Sequence, residues 1–167
     1  MHTAVVMWVV ALATVAQAKN ARTVVKKDLE EKVPTIRGTL ELQRVEFEDG
    51  DHAFQLALEG KTVAEETEYH VVAIAGRHPE PGPARVVLLE LTTGGSGCPM
   101  LYKVFEVKDN GKTVRSEEFG NCAMAKSSFK DGVLHIDLPK SRGAAAESWR
   151  YQNGKLSKAR PPSTRKK

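Results

Sequence analysis

Cysteine is almost missing from this chain: two in 167 residues, Cys98 and Cys122. Two thiols with no histidine beside them do not make a zinc tetrad. In an oxidising compartment an isolated pair is most simply a disulfide. Histidine is sparse too. Apart from His2, the chain has His52, His70, His78 and His135, with no His-x-His or His-x-x-x-His spacing to gather two on one face. Each reads as a surface residue, and neither a metal nor a cofactor is expected. Aromatics make up 6% of the sequence and do not interleave with a basic stripe, which makes nucleic acid a poor partner. Beyond the N-terminus no apolar run is long enough to span a membrane. No internal repeat emerges, so a propeller is not indicated.

The one long apolar run opens the chain. Residues 3–15 contain no Lys, Arg, Asp or Glu, Ala16-Gln17-Ala18 is a small-x-small triplet, and Lys19 starts the charged sequence. This pattern predicts a signal peptide over residues 1–18, cleaved after Ala18, and hence a periplasmic or secreted protein. Against it, only His2 and the amino terminus supply positive charge ahead of the run; a buried N-terminal strand or helix is the competing reading. No cysteine comes directly after the run, so a lipid anchor is not expected. The chain from Lys19 onward is long enough for one domain with a real core. Export supplies the oxidising compartment, and closing the loop from Cys98 to Cys122 would stabilise the fold by about 3.5 kcal/mol in the chain-entropy model.

Net charge is +4, unevenly placed. Residues 155–167 carry Lys155, Lys158, Arg160, Arg165, Lys166 and Lys167 with no acid, which leaves the body slightly acidic. With Pro161-Pro162-Ser163-Thr164 inside it, the end cannot bury a face, and residues 158–167 are expected to form a disordered basic tail. Either this is a plain solvated terminus, or Lys158, Arg160, Arg165, Lys166 and Lys167 hold an anionic envelope polymer or phospholipid.

Between the two ends the hydrophobic period sets the fold class. Val25, Leu29 and Val33 lie four apart and are followed by Pro34, which predicts either a short helix or a loose N-terminal segment within residues 19–38. From residue 39 to 157 the period is two, which predicts a single β-rich domain. Leu40 and Leu42 are one residue out of phase with Val45 and Phe47, and a bulge near Gln43-Arg44 would bring all four to one face. Asp49-Gly50-Asp51 turns the chain into Phe54, Leu56 and Leu58, making a hairpin. Residues 85–91 (RVVLLEL) are apolar on both faces, as in a central strand covered on both sides. Three further hairpins carry Asp109-Asn110-Gly111, Asp131-Gly132 and Asn153-Gly154 at their turns, residue pairs that accept positive φ. The expected architecture is mainly β, an antiparallel sandwich or incomplete barrel built of hairpins.

Catalytic signals are weak. Gly94-Gly95-Ser96-Gly97-Cys98 is like a nucleophile elbow, but Cys stands where the last glycine belongs and Pro99 with an extended run comes next instead of a helix. Asp49 and Asp51 start like a calcium loop, yet the later ligands and the glycine at the sixth position are missing. Distant carboxylate pairs of the glycosidase kind leave no signature in a single sequence.

The segment Gly94-Gly95-Ser96-Gly97-Cys98-Pro99-Met100-Leu101-Tyr102, followed by Phe119-Gly120-Asn121-Cys122 and by Tyr151 with Gly154-Lys155, resembles a GGxxCPxxY…FGxC pattern of exported bacterial proteins of unassigned role. The resemblance covers residues 86–156 and implies an envelope protein with a Cys98–Cys122 bond. It carries no catalytic residues.

Three functions are compatible with these features. The first is a non-catalytic periplasmic binding module, such as an inhibitor or an immunity protein against a secreted toxin. Its acidic groups, Glu46, Glu48, Asp49 and Asp51 or Glu65, Glu66 and Glu68, would steer a basic protein partner. The second is an envelope-associated structural protein that uses its basic tail to hold peptidoglycan or anionic lipid. The third is a hydrolase with a site assembled from distant residues.

Overall fold

The structure, a computed structural model, describes residues 22–95, 97, 100–141 and 143–159. The segment read as a signal peptide, Cys98, and Arg160, Arg165, Lys166 and Lys167 lie outside the described residues. Twelve strands occur among the described residues, and no helix.

The first sheet joins β1 (Val24–Thr35), β2 (Gly38–Phe47), β3 (His52–Leu58) and β4 (Lys61–Glu66) in chain order. The second joins β5 (Val71–His78), β6 (Val86–Thr92), β7 (Met100–Val107) and β8 (Thr113–Arg115). The third joins β9 (Lys126–Lys130), β10 (Val133–Leu138), β11 (Glu147–Gln152) and β12 (Lys155–Ala159). Every pairing is antiparallel between consecutive strands, so each sheet is a meander and none closes into a barrel.

The central sheet makes this a three-layer sandwich. Along β6, Val87, Leu89 and Leu91 enter a core shared with Leu40, Leu42, Phe54, Leu56 and Leu58 of the first sheet. The intervening Val86 and Leu88 enter a second core with Leu134, Ile136, Leu138 and Tyr151 of the third sheet. Strand β7 divides in the same way, with Phe105 and Val107 on one side and Tyr102 and Val104 on the other. The doubly apolar run of residues 85–91 therefore does belong to a central strand buried on both faces.

Four local expectations are overturned. The predicted N-terminal helix is strand β1, which pairs with β2 from Val24–Phe47 to Thr35–Gly38. Of its three residues at helical spacing only Val33 is buried, while Val25 and Leu29 are 60% and 52% exposed. A ladder along a neighbouring strand outweighs a three-residue stripe. Second, β2 runs against β3 without a bulge from Leu40 to Glu46; the irregularities lie in β1. Val45 and Phe47 thus point away from Leu40 and Leu42 and form a small separate cluster with Ala53. Third, β12 continues through Lys158 to Ala159, so the tail does not begin at residue 158. Finally, His78 is no surface residue but is 8% exposed.

Candidate functional site

The acidic groups expected to steer a partner are mostly engaged within the chain. Arg22 donates to both carboxylate oxygens of Asp49 at 3.0 Å and to Asp51 at 2.6 Å. That contact holds the Asp49 carboxyl below its usual range. Glu46 lies beside Arg44 at 3.8 Å, and Gln55 donates to Glu65. Glu66 is buried between the first and second sheets, where it accepts from Lys103 at 2.7 Å and Arg115 at 3.0 Å. Tyr69 next to it donates to Glu118, and its hydroxyl is pushed above the ordinary range by burial and then by that carboxylate. Glu48 and Glu68 are exposed. The seven groups do not form one open acidic surface.

The paired-cysteine region is built by backbone contacts. Gly120 sits where a Cβ would come within 3.2 Å of the Leu101 Cα and the Met100 carbonyl, so only glycine lets this segment lie against β7. Phe119 bridges to Tyr102 through two backbone hydrogen bonds. The buried Tyr102 hydroxyl donates to the Ala123 carbonyl and accepts from the Ala125 amide, both at 3.0 Å. The Asn121 side chain donates to the carbonyls of Pro139 and Ala145. These residues tie three loops together beside Cys122, which is half-buried at φ 68°. Among the described residues no cysteine is free.

One pair has the composition of a catalytic dyad. His78 Nε2 lies 2.9 Å from Ser127 Oγ, and burial lowers the His78 pKa from its ordinary value. The pair is packed into the seam between the second and third sheets, with Phe129 stacked on the imidazole and Ser127 Oγ 2.9 Å from the position a Cβ on Gly76 would take.

The outer face of the third sheet gathers charge of one sign. Leu134, Ile136 and Leu138 point into the core, so Val133, His135 and Asp137 point outward with their cross-strand partners. That places Lys126, Lys130, Arg150 and Lys155 on one face, with Ser128, Ser148 and Ser157 between them. The four cations are exposed and none meets a carboxylate among the described residues. Asp137, the one acid on this face, accepts from Ser148 at 2.6 Å. A shallow basin of about 380 Å³ lies on this face, lined by Val133, His135, Arg150, Gln152, Lys155 and Ser157 of β10 to β12. Lys158 is separate: it contacts Glu147 at 2.6 Å and lies over the Trp149 ring.

The basic excess is therefore not confined to the tail. Residues 126–167 hold eleven Lys or Arg against three acids, while residues 1–125 hold fourteen against eighteen. The signal is present in the sequence as alternation in β9 to β12, but it needs the cross-strand register to become a face.

No family model, curated protein or solved structure matches this chain. No helix among the described residues is long and apolar enough to cross a membrane.

Proposed function

We propose that this protein is a non-catalytic binding module of the bacterial envelope that holds an anionic polymer on the outer face of its third sheet. The observation that carries the reading is the set Lys126, Lys130, Arg150 and Lys155, exposed on one sheet face without carboxylate partners among the described residues. Like charges gathered this way raise the potential over the face and attract a polyanion. A polymer fits better than a lipid surface. A helix or sheet lying in a bilayer interface buries apolar side chains, and here Val133 is the single large apolar residue while Trp149 faces inward. Aromatic stacking platforms for single-stranded nucleic acid are missing from the same face.

Arg160, Arg165, Lys166 and Lys167 come directly after β12 in the sequence and extend the same charge, which unites the tail with the sheet in one function. Export in the manner of a signal-peptide protein, and a Cys98–Cys122 bond, are part of this proposal. The reading as an inhibitor or immunity protein draws less from its acidic groups, because Asp49, Asp51 and Glu66 are paired with Arg22, Lys103 and Arg115 while Glu48 and Glu68 are exposed.

The test is binding of the full chain to polyphosphate on a sensor surface at two salt concentrations. The expected result is retention that weakens steeply as salt rises and falls at least about tenfold in Lys126→Glu/Lys130→Glu/Arg150→Glu, a loss of roughly 1.4 kcal/mol. Equal retention by the triple variant, with its fold intact by circular dichroism, would overturn the assignment.

A further inference from the structure

The geometry points to a second site, a cleft at one end of the seam between the second and third sheets that we infer to be a saccharide subsite. Its volume is about 410 Å³, and it is lined by residues at three hairpin turns that meet there: Lys108 and Asp109 after β7, Gly132 between β9 and β10, and Gln152 at the end of β11 with Asn153 after it. That volume lies within the range of small-molecule sites.

The cleft is built rather than incidental. On its floor Glu106, 5% exposed, accepts from the Tyr151 hydroxyl at 2.8 Å and from Lys108 Nζ at 2.7 Å. At the rim Arg85 grips Asp109 with two parallel hydrogen bonds of 3.0 and 2.8 Å, a fork that fixes both planes. Phe129 forms a wall, its ring stacked with His78. The lining charges, two cations and two carboxylates, cancel.

This combination favours a polyhydroxylated ring over an ion. A neutral lining gives no net attraction to an anion or a cation. Planar amide groups each present two polar atoms at the spacing of adjacent hydroxyls, so Gln152 and Asn153 can each serve a vicinal diol, while Asp109, whose two oxygens already accept from Arg85, keeps spare lone pairs for a further hydroxyl. An aromatic wall accommodates the C–H face of a sugar. Gln152 also lines the basin on the basic outer face, so the cleft and that face are continuous. If the polymer of the proposed function is held there, it would be a glycan bearing acidic groups; that extension rests on the reading above, while the cleft stands without it.

The test uses the full chain with maltose, cellobiose and N,N′-diacetylchitobiose as neutral probes, monitored by two-dimensional amide spectra. At least one disaccharide should shift the side-chain amide signals of Gln152 and Asn153, with Kd on the order of 1 mM that does not change with salt. Asp109→Ala and Asn153→Gly, both exposed and the second compatible with the left-handed turn, should weaken binding about tenfold and leave polyphosphate retention unchanged. Silence of these amides toward all three sugars, or equal binding by both variants, would overturn the subsite. Retention on polyphosphate reports separately on the outer face, so either reading can fail alone.

Discussion

Single side chains at the two seams show how polar groups are tolerated between apolar layers. Glu66 is buried with Lys103 and Arg115 as its partners. Removing one member of a buried pair leaves an unpaired charge, which costs more than the pair is worth. Glu66→Ala should therefore lower unfolding free energy by about 3 kcal/mol in urea titrations, and Glu66→Leu with Lys103→Met should lose distinctly less. Equal losses would mean that the charge is not isolated in the single variant. At the other seam, burial holds His78 below its ordinary pKa, with Glu80 acting in the opposite direction. The unfolded chain then takes up the proton first as pH falls. Stability from this group is complete above about pH 6.5 and is lost below it. The melting temperature should drop on the acid side of that point, and His78→Gln should make the drop shallower. An unaltered slope in the variant would remove His78 as its source.

At the scale of elements, β6 decides the layering. Leu88 and Leu89 are neighbours in sequence, both fully buried, yet they belong to different cores. Leu→Ala at either should cost about 2–5 kcal/mol, on the order of other fully buried leucines. Because the side chains belong to separate cores, the double variant should show the sum within about 0.5 kcal/mol. A large coupling energy from denaturant melts would contradict the separation into two cores. Strand β1 makes the complementary point. Its exposed Val24, Val25 and Leu29 gain little from burial, so pairing with β2 and the anchoring of Val33 hold it as a strand.

Across the whole molecule, charge and covalent closure act on different parts. The third sheet and the residues after it carry the basic excess, and the rest of the chain is net acidic. On the proposed reading, this uneven distribution of charge would help to steer the chain toward a polyanion. In sequence, the proposed Cys98–Cys122 bond joins the segment between β6 and β7 to the segment between β8 and β9. Reduction should lower stability by about 3.5 kcal/mol in the chain-entropy model without altering polyphosphate retention, since the outer face lies on another sheet. A melting temperature insensitive to reductant would overturn the bond.

Much of this architecture is legible in the residue pattern because it depends on local signals. Strict alternation at Phe54, Leu56 and Leu58, the Asp-Gly and Asn-Gly turns, and the apolar run over residues 85–91 each report a strand, a turn or a doubly buried position by themselves. The same sequence determines that residues 126–167 are basic. Tertiary structure alone decided which of those charges share a surface, because register across β9, β10, β11 and β12 sets the face on which Lys126, Lys130, Arg150 and Lys155 meet. It also decided that Glu66 and His78 are interior, and that three turns far apart in sequence enclose one cleft around Glu106 and Tyr151. Those outcomes depend on which sheets stack, and stacking comes from burying whole faces against one another rather than from the preference of any one segment.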